Sequence, residues 1–263
     1  MENSKRGLVP IQRGTILSTS QCPSSRDEQH RMSGVPYASA IGSIMYAMMC
    51  TRSDVSCALS MTSRYQQNPG DSHWMAVKSI LKYLRRTKDM FLIYGSGEEE
   101  LVVKGYTDAS FQTDRDDSRS QSGYIFIMNG GAVSWKSSKQ EVVALSTTES
   151  EYIAASLAAQ EAAWLKKFIA ELGVVPTIQE PLEILCDNTG AIAQIKEPRD
   201  HQKTRHIEQK FNYIRDEVKK GKICIRKVHT DQNIADPLTK LLERPKHECH
   251  TCAMGLRYSS DWN

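Results

Sequence analysis

The chain has 263 residues, 40% of them hydrophobic, with 34 basic and 31 acidic side chains and a formal net charge of +3. That length suits a domain of ordinary size plus a smaller unit with a real core, and no apolar run approaches the roughly 20 residues that span a bilayer. A balance so near neutral excludes reading a nucleic-acid binder from composition alone, because charge must be localised before it creates a useful field. The first residues lack the apolar segment of a secretory signal. Seven cysteines, odd in number and irregularly spaced, suit reduced thiols. The expectation is an intracellular protein, cytoplasmic or nuclear, with no membrane partner.

In chain order, residues 1–36 are rich in Ser, Arg, Gln and Gly with little apolar periodicity and read as a flexible lead-in. From Tyr37 to Gln66, Ile41, Ile44, Met45, Met48, Val55 and Leu59 recur at helical offsets, with a break at Thr51–Asp54. Pro69-Gly70 stops this run. Asp71-Ser72 then caps a helix with Trp74, Val77, Ile80, Leu81 and Leu84 on one face and Lys78, Lys82, Arg85 and Arg86 on the other. Met90–Tyr94 reads as a strand. Gly95-Ser96-Gly97, followed by three glutamates, reads as a linker, which makes 37–97 one mostly helical segment and 98–243 a second domain.

That domain opens with Leu101–Thr107, a strand ending at Asp108. A hairpin follows: Gly123–Asn129, a Gly130-Gly131 turn, and Ala132–Lys136. A long alanine-rich helix starts at Ser146-Thr147-Thr148 and runs to Gly173, with Ile153, Leu157, Trp164, Leu165, Phe168, Ile169 and Leu172 as its buried face. Pro181–Cys186 reads as a strand, Asn188–Ile195 and Thr204–Lys219 as helices, Lys222–Val228 as a strand, and Asn233–Leu242 as a final helix. Residues 244–263 read as an unstructured tail. Its His247, Cys249, His250 and Cys252 crowd into one short segment with no second ligand pair elsewhere.

Four acids stand where these elements begin or end: Asp108, Glu151, Asp187 and Asp236. Carboxylates this far apart act together only if the fold gathers them, and gathered carboxylates repel unless divalent cations neutralise them. Two Mg²⁺ ions roughly 4 Å apart, with Mn²⁺ able to substitute, would activate a water and stabilise the leaving oxygen of a phosphodiester. Glu149 lies two residues before Glu151, roughly 200° around the helix, so the two cannot share a face. Glu151 shares its side with Ala154, Ala155 and Ala158 and is the expected ligand, while Glu149 suits a capping role.

His229, after the fifth strand, is placed to shuttle a proton or help expel product, and Asn188 to meet a ribose hydroxyl or base edge. The run Lys196–Lys227 holds the localised positive charge that the net value conceals. Within it Lys196, Lys203, Arg205, His206 and Lys210 are the expected backbone contacts.

The motifs Tyr106-Thr107-Asp108-Ala109, Ser120-Gln121-Ser122-Gly123-Tyr124, Ser146-Thr147-Thr148-Glu149-Ser150-Glu151-Tyr152, Lys203-Thr204-Arg205-His206-Ile207 and Ala235-Asp236-Pro237-Leu238-Thr239-Lys240 resemble the C-terminal part of copia-type retrotransposon Pol polyproteins. Tyr37–Tyr46, Asn68-Pro69-Gly70 and His73-Trp74 resemble the end of the reverse transcriptase that precedes ribonuclease H there. The resemblance implies an α/β ribonuclease H-like fold: a mixed five-stranded sheet flanked by helices, preceded by a small helical segment. It also implies cleavage of the RNA strand of an RNA–DNA hybrid, with Asp108 bridging both ions, Glu151 and Asp187 holding one and Asp236 the other. His229 matches the family's mobile histidine. No Tyr-x-Asp-Asp motif occurs, so polymerisation is not implied, and the remaining reverse transcriptase domains become expected partners. Phe111, where the family has tryptophan, and Gln209-Lys210 depart from the pattern without touching the ligands. The rival expectations are a degenerate fragment that binds nucleic acid without cutting it, and a DNA-directed nuclease of related fold.

Overall fold

The computed structural model describes residues 4–5, 7–95, 101–173, 175–197 and 212–261. Helices α1 (Arg26–Ser33), α2 (Tyr37–Cys50), α3 (Ser56–Ser63) and α4 (Asp71–Arg86) and the strand β1 (Met90–Leu92) come first. Val77, Ile80 and Tyr83 recur at close to the helical period on α4 and are buried with Tyr37, Ile41 and Ile44 of α2 and Leu59 of α3. Gly70, rather than Asp71, caps α4, its N–H donating to His73 Nδ1 at 2.9 Å. The lead-in is not the flexible segment its composition suggests. Ile11 and Leu17 are buried in this same core, and α1 is capped by Ser25, which accepts the Glu28 N–H. Two isolated apolar residues leave no periodic signal; they are ordered by the groove the helices offer.

The sheet consists of β2 (Val103–Ser110), β3 (Gln121–Met128), β4 (Gly131–Lys139), β5 (Leu182–Cys186) and β6 (Ile223–Lys227), in the order β4-β3-β2-β5-β6. β2, β3 and β4 pair antiparallel, while β2–β5 and β5–β6 pair parallel. Asn129 (φ 51°) and Gly130 (φ 77°) close the β3–β4 hairpin with the two positive φ values of a tight primed turn. α5 (Thr147–Leu172) crosses one face. It starts at Ser146, whose hydroxyl accepts the Glu149 N–H, and stops at left-handed Gly173.

α5 lies on the sheet through Ile153, Ala155, Ala158, Ala159, Ala162, Leu165 and Ile169. Trp164, Phe168 and Leu172, expected on that face, are instead exposed, because alanines give the closest approach and the bulkier side chains point away. α6 (Thr189–Lys196) and α7 (Tyr213–Lys219) complete this layer, and the first half of the expected 204–219 helix lies outside the described residues. This strand order and mixed pairing make the ribonuclease H fold.

Two expectations fail on the opposite face. Asn233–Leu242 is not a helix but a loop with a 3-10 turn at Asp236–Leu238, preceded by another at Thr230–Gln232, because Pro237 is incompatible with a helix interior. Residues 244–263 are not an unstructured tail. α8 (Arg244–Ala253) starts with Pro245 in its first turn, and β7 (Leu256–Tyr258) pairs antiparallel with β1. Met254 is buried with Ile125, Ala132 and Leu238 on the sheet's second face. His247 and His250 are buried while Cys249 and Cys252 are exposed, so these four do not converge on a metal. All seven cysteines are unpaired, and among the described residues no helix is long and apolar enough to cross a membrane.

Candidate active site

Register brings the carboxylates together. Tyr106 of β2 pairs with Leu185 of the parallel strand β5, so Asp108 and Asp187, each two residues further on, emerge at the same level of adjacent strands. Asp108 therefore lies inside β2 rather than at its end, since the strand continues to Ser110 beside β3. The N-terminal part of α5, one turn past its start at Thr147, carries Glu151 over the same edge. Opposite Asp108 in β3 is Gly123, and the space a side chain would fill there is taken by Leu238 and Thr239. That gap admits the 236–240 turn, which Asn233 anchors by donating to Thr107 O at 2.9 Å. Asp236 thus reaches the cluster on a 3-10 turn.

Asp108, Glu151 and Asp236 are all buried, Asp187 half-buried. Burial, offset by Lys240 and Thr239 but reinforced by Asp236 and Asp187, pushes Asp108 up to about 7. Burial again, with the repulsion of Asp108 and Asp187, pushes Glu151 up to about 9. Burial opposes the charge on Asp236 as well, but Lys240 and Lys246 outweigh it and hold that carboxyl below its usual range. Lys240 Nζ lies 2.8 Å from Asp236 Oδ1, and 3.3 and 3.2 Å from the two oxygens of Asp108. Lys246 Nζ lies 2.8 Å from Asp236 Oδ2. The Thr239 hydroxyl donates to Asp108 Oδ2.

Glu151 is 4% exposed, and its Oε2 has no hydrogen-bond partner. One ligand atom each from Glu151, Cys186 and Asp187 lie within 4.8 Å of one another. An orphaned buried carboxylate oxygen beside a second carboxylate fits a divalent cation, since leaving it unpaired is costly. Burial pushes the Cys186 thiol up, and the two carboxylates beside it offer the oxygen donors that suit a hard ion.

The expected accessory residues fare unevenly. His229 is exposed and its Nδ1 accepts the Asp231 N–H; among the described residues no hydrogen bond or ion pair joins it to the four carboxylates. Its loop nevertheless approaches Asp236, through Lys246 to Asp231 at 3.5 Å. Asn188 caps α6, its Oδ1 accepting the Ala191 N–H at 2.9 Å. Lys196 is exposed, while Lys203, Arg205, His206 and Lys210 lie outside the described residues.

Much of the remaining basic run is engaged within the protein. Arg215 donates to Gln194 O and lies over the Tyr152 ring, Lys220 and Lys222 pair with Glu217, and Arg226 pairs with Glu183. Thr239, Lys240 and Lys246 had no expected role. Only the spacing of Lys240, four residues after Asp236 as on one helical face, hinted at its contact.

No protein-family model matches the chain. It is 43% identical over 248 residues to the retrovirus-related Pol polyprotein from transposon TNT 1-94 of Nicotiana tabacum, covering 94% of the chain and 18% of that protein. The corresponding polyprotein from transposon RE2 of Arabidopsis thaliana is 36% identical over 208 residues, 79% of the chain and 14% of its own length. The chain thus spans less than a fifth of these polyproteins. Secreted RxLR effector protein 161 of Plasmopara viticola is 48% identical over 135 residues, 51% of the chain and 94% of that protein. Among solved structures, an RNase H1 isolated from compost aligns with a TM-score of 0.39 at 16% identity, over 52% of the chain and 92% of its own.

Proposed function

The chain belongs to the retrovirus-related Pol polyproteins of copia-type transposons, and we propose that it is a Mg²⁺-dependent endoribonuclease that cuts the RNA strand of RNA–DNA hybrids. The observation that carries this reading is the convergence of Asp108, Glu151, Asp187 and Asp236, with the buried Glu151 Oε2 left unpartnered. These four side chains would hold Mg²⁺, or Mn²⁺ in its place. The ion's chemistry is to lower the pKa of a water and to stabilise charge on the phosphate and the leaving oxygen.

The chain's own groups do the rest. The Thr239 hydroxyl and Lys240 fix the orientation of the Asp108 carboxylate. Asn233 and the Pro237 turn hold Asp236 against the sheet. His229, exposed at the start of the loop that leads to Asp236, is assigned the transfer of a proton to the departing 3′-oxygen, so that the products would carry 3′-hydroxyl and 5′-phosphate ends. Lys196, with Lys203, Arg205, His206 and Lys210, is assigned to the phosphate backbone, and the Asn188 amide to the minor groove, where a hybrid shows 2′-hydroxyls on one strand only. Sequence preference should accordingly be slight. The rest of the reverse transcriptase is the natural partner, and the unpaired cysteines favour a reducing compartment, cytoplasm or nucleus.

The test is cleavage of an end-labelled RNA–DNA hybrid by the purified chain in Mg²⁺, with Asp108→Asn alongside. Loss of cutting in the variant supports the assignment. Binding without cleavage by the wild type would leave a degenerate nucleic-acid-binding fragment, and equal cutting of duplex DNA would mark a DNA-directed nuclease.

A further inference from the structure

The four carboxylates form two halves that the protein treats differently. On one half, Glu151 Oε2 has no partner and lies with Asp187 within reach of a single ion. On the other, every oxygen of Asp108 and Asp236 already has a cation beside it. Lys240 Nζ contacts both oxygens of Asp108 and one of Asp236, and Lys246 takes the second oxygen of Asp236. Lys240 is fixed there by its backbone: its N–H donates to Asp236 O at 3.1 Å, closing the turn that carries both residues. Its side chain is about two-thirds buried, and its single charge stands between two carboxylates as a metal ion would.

Resting on the nuclease reading for the class of ion, we infer that Lys240 is a built-in cation. The resting site takes one divalent ion, on the Glu151–Asp187 half, and a second reaches the Asp108–Asp236 pair only by displacing the Lys240 ammonium. The lysine thereby keeps the buried pair neutralised when only one ion is bound, and it makes the second ion weakly held and concentration-dependent.

The experiment counts Mn²⁺ and Mg²⁺ bound to the full chain, by calorimetry and by the electron paramagnetic resonance signal of free Mn²⁺, so that the readout is occupancy rather than cleavage. The wild type should bind one ion per chain, with a second at least about tenfold weaker. Lys240→Met should bring the second ion into the range of the first, and Lys240→Arg, which keeps the charge, should behave as the wild type. Asp236→Asn tests the same division independently of how Lys240→Met folds, by losing the second ion and keeping the first. Two ions of equal affinity in the wild type, an unchanged second affinity in folded Lys240→Met, or loss of the first ion in Asp236→Asn would overturn the inference while leaving the nuclease reading intact. Binding of no ion would overturn both.

Discussion

Gly123→Ala tests how the site is assembled without changing any of its polar groups. A Cβ at Gly123 would sit 2.7 Å from Leu238 Cβ, 2.8 Å from Thr239 Cγ2 and 3.2 Å from the Leu238 carbonyl carbon. Ordinary contact begins at 3.4 Å, so the turn has to retreat by about 0.7 Å. Neither neighbour can rotate aside, since Leu238 is fully buried and Thr239 nearly so. Overpacking of this kind costs about 1–3 kcal/mol, which for a chain of this size is roughly 2–10 °C in melting temperature.

The same retreat moves Asp236, Thr239 and Lys240 away from Asp108, and a displacement approaching 1 Å at a reacting centre is worth up to about 10²-fold in rate. Cleavage of a labelled hybrid should therefore fall by about 10–100-fold, with a lower melting temperature by circular dichroism. Gly42→Ala is the control: nothing lies within 4 Å of that position in α2, so stability should hold or rise by about 0.5–1 kcal/mol, with unchanged cleavage. If Gly123→Ala melts and cuts like the wild type, the turn is not seated on that glycine and the account of how Asp236 reaches the site is wrong.

Three further outcomes follow from the buried charges and the tail. Glu151→Gln removes a carboxylate that has to bind a proton to remain buried, so in chelator it should stabilise the chain by on the order of 1–3 kcal/mol while abolishing the tighter Mn²⁺ site and cleavage; a lower melting temperature would count against it. Burial opposes the charge on Asp54, but its ion pair with Arg52 (2.7 Å) and the Tyr83 hydroxyl (2.6 Å) hold the carboxyl below the usual carboxylate range. A carboxyl depressed in the folded state contributes stability above its unfolded pKa and loses it as pH falls through the folded one. Asp54→Asn should thus cost about 3–5 kcal/mol in urea melts at pH 7, where Arg52 is left unpaired, with the difference shrinking below pH 4; an equal cost at pH 3 and pH 7 would refute this. Deleting residues 244–263 unpairs β1, removes Lys246 from Asp236 and withdraws Met254 from the core, so the shortened chain should lose more than about 4 kcal/mol; an unchanged melting curve would show the tail to be dispensable.

The parts of this molecule that could be read in its sequence are those whose cause is local. α5 announces itself by Ser146 before it and Gly173 after it, and the hairpin by Gly130, although its partner in the turn, with positive φ, is Asn129 and not the expected Gly131. Which of the two glutamates faces the acidic cluster was legible because Glu149 and Glu151 point different ways: Glu149 accepts the Leu145 N–H as a cap, and Glu151 turns inward with Ala154 and Ala155. What escaped depends on distant partners. Ile11 and Leu17 have no period of their own, and β7 exists because β1 needs a neighbour. Of the two cations on Asp236, Lys246 comes from α8 and Lys240 from a turn that Pro237 takes out of the helical register, so the spacing that should have revealed Lys240 looked like part of an ordinary helix. The basic run misled in the opposite sense: Arg215, Lys220, Lys222 and Arg226 count equally in a tally of charge, yet each is engaged within the protein.

The contacts around Gln121 explain why the N-terminal helices and the sheet have to be considered as one site. Gln121, at the start of β3, donates from Nε2 to Ser60 of α3 at 2.9 Å and to Ser137 of β4 at 2.8 Å, and the Ser137 hydroxyl donates in turn to Leu238 O. Arg64, at the end of α3, donates to Gln121 Oε1 and pairs with Asp114 in the loop between β2 and β3. A line of buried or half-buried hydrogen bonds therefore runs from α3 through the sheet edge into the turn that carries Asp236, Thr239 and Lys240. Polar chains of this kind hold their geometry only while every member is satisfied. Burying three carboxylates beside a half-buried fourth opposes folding until cations arrive, so the bonds of Thr239 and Lys240 to Asp108 do not hold the turn alone; it is also held from behind, through residues of the helical segment that make no contact with the carboxylates. On this reading, a piece of the chain that began at β2 would keep every acidic ligand and lose the fixture that aims one of them.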